Sequence, residues 1–179
     1  MKPTQLAIAG CIVSALTVLP GASAAVRKCV VQKSTPASYT WNFQQEAGQI
    51  FKEVRFDAAQ ARRHAEELKG FAEHADAPGW RTDAEQLNEI SSEVDNIGSH
   101  ICRLEAIRRV TAPWQQKAID HIAVDLRLLA DNTQDAISFG QAHREALWMP
   151  TYQEYLDNLY AQSRNLERSV DMAIHGESD

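Results

Sequence analysis

Few of the features that carry chemistry occur in this chain. There are three cysteines in 179 residues, at positions 11, 29 and 102, and none belongs to a Cys-x-x-Cys or Cys-x-x-Cys-His sequence, so neither thioredoxin-like redox chemistry nor covalent haem attachment has a footing. No Glu stands three residues before any of the six histidines, which removes the Glu-x-x-His ligands of di-iron bundles, and no two histidines are four apart, which removes the zincin pattern. A Gly-x-Ser-x-Gly elbow, a phosphate-binding loop and a Gly-rich dinucleotide turn are all missing. Basic residues are scattered among acids, with no basic stripe, so nucleic acid is not an expected partner. Beyond residue 24 no apolar run is long enough to cross a bilayer. From 40 to 175 there is almost no strand-like alternation.

What is present begins with an export signal. Lys2 precedes the apolar run Leu6–Leu19, Pro20 and Gly21 break it, and Ala22-Ser23-Ala24 supplies the small residues of a cleavage site. Residues 1–24 are read as a secretory signal peptide, with the mature chain starting at Ala25 in an extracytoplasmic compartment, periplasmic or secreted. The alternative is a lipoprotein signal, Ile8-Ala9-Gly10-Cys11, with lipid on Cys11, but only Leu6 to Gly10 would then form the apolar region, which is short for that purpose. Cleavage removes one of 18 Lys and Arg against 24 Asp and Glu, leaving a net charge of −7 (17 minus 24). The 155 residues after the signal (179 minus 24) suit one domain with its own core. Two cysteines remain, and in an oxidising compartment a pair implies a disulfide, Cys29–Cys102.

The body reads as four helices. The first, from about Thr40 to Ala75, has a seam at Ala47, Phe51, Val54, Ala58, Ala61, Ala65, Leu68 and Ala72, rich enough in Ala for close helix approach. Pro78-Gly79 ends it. The second has its seam at Leu87, Ile90, Val94, Ile97, Ile101 and Leu104, and Arg108-Arg109 suit its C-terminal end. The third starts near Pro113, with Ile119, Ile122, Leu126, Leu129, Thr133 and Ala136 inward. The fourth turns Leu156, Leu159, Leu166 and Val170 inward. The fold class expected is all-α: an antiparallel, up-down-up-down four-helix bundle over 40–175. A short extended segment, 25–39, precedes it, and a tail, 176–179, follows.

One phrase occurs twice. "GWRTDAEQL" (79–87) and "LWMPTYQEYL" (147–156) share a Trp, a Thr, a Glu three residues after the Thr and a Leu two further on. Thr-x-x-Glu is a capping box, so Thr82 and Thr151 are expected to cap the second and fourth helices. Trp41 and Trp114 open the first and third helices, each followed by a Gln-Gln pair. All four Trp residues thus mark helix starts, Trp41 and Trp114 at one end of the bundle and Trp80 and Trp148 at the other, and are expected to plug its ends.

A single candidate metal constellation survives. In an antiparallel pair turning near 110–113, Cys102 lies level with His121 and His100 within a turn, a set that suits zinc or copper. The competing reading leaves His100 and His121 at the water-facing edges and gives Cys102 to Cys29. No cofactor or catalytic residue is expected. The role expected is binding or structural, an exported bundle presenting helix faces to a protein partner and carrying no stable membrane anchor; ligand or metal binding near His100, Cys102 and His121 is the alternative.

Overall fold

The computed structural model describes residues 42–72 and 79–175. The expected signal peptide, the lipoprotein alternative at Cys11, the extended segment 25–39 with Cys29, the tail 176–179 and Trp41 lie outside the described residues.

Four helices account for nearly all of the rest: α1 (Phe43–Ala72), α2 (Trp80–Ile107), α3 (Pro113–Ala142) and α4 (Pro150–His175), with a 3₁₀ turn at Arg108–Val110 between α2 and α3. Among the described residues there is no strand, and no helix is long and apolar enough to cross a membrane. α1 packs on α2 and α4, and α3 packs on the same two, closing a ring of four antiparallel neighbours. The fold is the expected four-helix bundle.

Its core follows from spacing. Every apolar seam position of α2, α3 and α4 named above is buried, as are those of α1 up to Leu68. Recurrence every three or four residues keeps one face of a 3.6-residue helix inward. Each fully buried Leu or Ile contributes about 1.5–3 kcal/mol relative to exposure. α1 meets its neighbours through Ala47, Ala58, Ala61 and Ala65. On its flank, cations two turns apart meet acids of α4: Arg55–Asp171 at 2.6 Å, Arg62–Glu167 at 2.6 Å and Lys69–Asp157 at 2.7 Å. The descending partner numbers against ascending α1 numbers express the antiparallel register.

Each end of the bundle is tied across its diagonal. At the end where α1 and α3 begin, buried Gln115 donates through Nε2 to the Gln44 carbonyl at 3.1 Å, while its Oε1 accepts the Ala112 N–H at 3.0 Å. At the other end, the Tyr152 hydroxyl donates to Asp83 Oδ2 at 3.0 Å, both residues being buried. Asp83 and Tyr152 stand at the same place in the doubled phrase, directly after its Thr, and Leu87 and Leu156, which close the phrase, are both buried. The repetition therefore places matching first turns of α2 and α4 against each other.

The capping role expected of Thr82 and Thr151 is corrected. α2 starts at Trp80 with Gly79 as its N-cap and no side-chain cap bond; Thr82 already lies within the helix, its N–H donating to the Gly79 carbonyl at 2.9 Å. α4 starts at Pro150, whose ring presets the helical φ, and the Tyr152 and Gln153 amides donate to the Met149 carbonyl. Thr82 sits three positions past its helix's N-cap and Thr151 two past the residue before Pro150, too deep to cap.

Candidate functional site

The bundle has unequal helices at the end where α1 and α3 begin. Ser169 on α4 donates to Asp125 on α3 at 2.6 Å. His175, six residues further along α4, is therefore level with about residue 119, and α3 continues from there back to Pro113. Six residues at 1.5 Å each leave about 9 Å of α3 beyond the end of α4. There a cavity of about 840 Å³ opens, lined by Asn42 and Gln45 of α1, Arg103 of α2, Trp114 of α3, and Ala173 and Ile174 of α4. Gln49 and Lys52 line both this cavity and a second depression of about 320 Å³, whose walls include Glu53, Phe56, Asp57 and His100. The two form one groove along α1 from Asn42 to Asp57, about 22 Å at 1.5 Å per residue.

The head of the groove is rich in acceptors. The His100 ring from α2 sits between two α1 carboxylates, Nδ1 at 3.3 Å from Glu53 Oε2 and Nε2 at 3.3 Å from Asp57 Oδ2. Arg103 Nη1 is 2.7 Å from Glu53 Oε2 and 3.3 Å from His100 Nδ1. Nδ1 thus faces both the Glu53 carboxylate and the Arg103 guanidinium, and Nε2 faces Asp57. Asp57 Oδ2 is buried and has the His100 ring as its neighbour. Asp57, 9% exposed, has its pKa raised above the usual carboxylate value, first by burial and next by the Glu93 charge, with Glu53 adding to the rise and His100 opposing it. Beside it Phe56 is 64% exposed. A cleft with two crowded carboxylates and an apolar rim is suited to a cation carried on an apolar stem.

The residues singled out from sequence are distributed as follows. His100 faces the α1 carboxylates. Cys102 is half-buried on α2 beside Arg103, and His121 is exposed on α3. Among the described residues no group of three or more His, Cys, Asp and Glu is arranged to hold a metal ion, so these three are not gathered into one centre. Trp114 is half-buried and lines the groove. Trp80 lies over Gly140 of α3, so closely that a Cβ there would fall 1.9 Å from its Cζ3. Trp80 is partly buried against the core there. Trp148 is 77% exposed. It precedes Pro150 on the loop, outside the helix, and the inward position is taken by Tyr152, which stacks on Phe139 with centroids 6.0 Å apart.

Glu53, Phe56 and Asp57 escaped the sequence reading because the seam was traced through apolar residues alone. Asp57 stands three residues after Val54 and seven after Ile50, at seam phase, and Phe56 is a large apolar residue off the seam. Those two departures, a charge on the inner face and an aromatic on the outer one, mark the site. Comparison with protein families, curated proteins and solved structures finds no match.

Proposed function

We propose that the protein is an exported binding module, a rigid helical bundle that holds an extended segment of a protein partner in the groove along α1, with a basic side chain of that segment at Glu53 and Asp57. The observation that carries this reading is the pair of α1 carboxylates, Glu53 and Asp57, on one wall of the groove beside the exposed Phe56. The exposed Phe56 ring adds an apolar and cation–π surface for the stem of a Lys or Arg. Export rests on the signal-like residues 1–24.

The test is a photo-reactive amino acid placed at Gln49, in the groove, or at exposed Val124, on the outer face of α3, in the protein expressed in its source cells. A discrete protein adduct is expected from position 49, not from 124, and Asp57→Asn should abolish it. An adduct from position 49 that is indifferent to Asp57→Asn, or no adduct there at all, overturns the proposal.

A further inference from the structure

We infer that the cation site of the groove is gated by pH: His100, once protonated, becomes the site's own counter-ion, so that a basic segment is held near neutral pH and released in acid. This rests on the groove being a site for a basic side chain, and it adds how that site is regulated.

The geometry supplies the switch. The ring presents one nitrogen to each carboxylate, Nδ1 at 3.3 Å from Glu53 Oε2 and Nε2 at 3.3 Å from Asp57 Oδ2. A neutral imidazole carries one N–H and serves one carboxylate; an imidazolium carries two and serves both. Between pH 8 and 5 an imidazole passes from the first state to the second. The charged ring then supplies from inside the protein what a Lys or Arg of the partner supplies from outside. Its charge counts here, because the ring is half-buried and Asp57 is buried, and enclosed charges are screened much less than surface ones.

Every charge around the ring enters the balance. From α1 come Glu53, Asp57 and Lys52, which line the same depression. From α2 come Glu93, whose charge acts on Asp57, and Arg103, 2.7 Å from Glu53 Oε2 and 3.3 Å from His100 Nδ1. On α3, the contact of Arg108 with Asp120 puts about residue 128 level with His100; near that level Asp125 is bonded to Ser169 of α4, and Arg127 and Asp131 are exposed. Around the ring itself, three acids against two cations leave one negative charge while His100 is neutral and none once it is protonated. Arg103 engages Glu53 in both states, so the carboxylate open to a partner is that of Asp57, and this is the one that His100 Nε2 faces. Asp57 acts in the same sense: burial raises its pKa, so in acid it gives up its charge sooner than an ordinary carboxylate.

The probe is a blocked pentapeptide, Ser-Val-Lys-Val-Ser, with a control in which Gln replaces the Lys. Each is titrated into the isotope-labelled exported chain at pH 8 and at pH 5 in the same salt. Nuclear magnetic resonance reads the affinity from the α1 amides and the protonation of His100 from its ring carbon proton. The Lys peptide is expected to bind at least about fivefold more weakly at pH 5, the low end of ordinary coupling between two sites. By reciprocity, saturating peptide should make the protonation of His100 harder by the same factor. In His100→Gln, its helicity checked by circular dichroism, most of the pH dependence should be gone. Lys-dependent binding that is equal at the two pH values, or a ring titration indifferent to the peptide, overturns the gate and leaves the groove reading standing. A decline in acid that His100→Gln retains in full also overturns it. If the Lys peptide binds no better than the Gln control even at pH 8, the groove is not a site for a basic side chain, and the functional proposal fails together with its gate.

Discussion

Gly140 shows how one missing methyl group sets the geometry at one end of the bundle. It sits inside α3, where Gly costs about 1 kcal/mol relative to Ala by propensity alone. Its merit lies in the three Trp80 ring atoms within 2.6 Å of where a Cβ would stand. Gly140→Ala must expel a rigid ring, and overpacking of that kind costs about 1–3 kcal/mol. The expected result is a lower urea midpoint, opposite in sign to the propensity prediction. In the Trp80→Ala background the same change should become neutral or stabilising, a coupling that a double-mutant cycle reads directly. Next to it, Asp83 has its pKa raised by burial, with the Tyr152 hydrogen bond opposing the shift. A carboxyl whose folded pKa exceeds its unfolded one binds more protons folded than unfolded between the two values. Its contribution to stability is therefore greatest at low pH and falls as pH rises from the usual value of about 3.9 through the folded pKa. Asp83→Asn should remove that decline. Urea midpoints of the two proteins, compared from pH 4 to 7, should show the wild type losing ground to the variant as pH rises; parallel curves would contradict the assignment.

Elements were legible to the degree that their information is periodic. Leu87, Ile90, Val94, Ile97, Ile101 and Leu104 repeat at helical spacing, and burial against two neighbours makes that spacing decisive. Helix starts were less legible because Thr-x-x-Glu has no direction built into it beyond its own four residues. Gly79 and Pro150 set where α2 and α4 begin, and each Thr then falls inside the first turn. The site was least legible. Its carboxylates lie on α1 and their histidine on α2, and their meeting depends on a register that neither helix encodes alone. The ladder between α1 and α4 has the same origin and yields a graded expectation. The Arg62–Glu167 pair is more enclosed than Lys69–Asp157, with side chains 28% and 23% exposed against 37% and 61%. Exposed pairs are worth about 0–1 kcal/mol and are screened by salt. Lys69→Met, which also gives up the cation 5.6 Å from the Tyr160 ring centroid, should thus move the midpoint by about 1 kcal/mol at most, and the ion-pair part of that should vanish in 1 M salt. Arg62→Met should cost more and retain most of its cost in that salt, because it strands Glu167 in a partly enclosed position. Equal costs for the two would mean that enclosure makes no difference here.

At the scale of the molecule, the described helices form a rod with a diagonal tie at each end, and the distance between the ties governs how they combine. α1 and α3 are each 30 residues long, about 45 Å at 1.5 Å per residue. Gln115 ties one end and Tyr152 the other. Gln115→Ala leaves the Ala112 amide and the Gln44 carbonyl without that partner, and Tyr152→Phe leaves Asp83 buried without its donor; each should cost about 1–3 kcal/mol. Sites more than about 10 Å apart with no shared partner add to within about 0.5 kcal/mol. The double variant should therefore lose the sum of the two, provided the bundle unfolds as one cooperative unit, as most single domains of this size do. The measurement is urea unfolding of both single variants and the double, followed by helicity and by Trp fluorescence. Because Trp80 lies at one end and Trp114 at the other, fluorescence reports the ends while helicity reports the length. Coincident transitions with additive losses are expected. Transitions that separate in the double variant would show that the two ends unfold independently and that the core between them does not couple them.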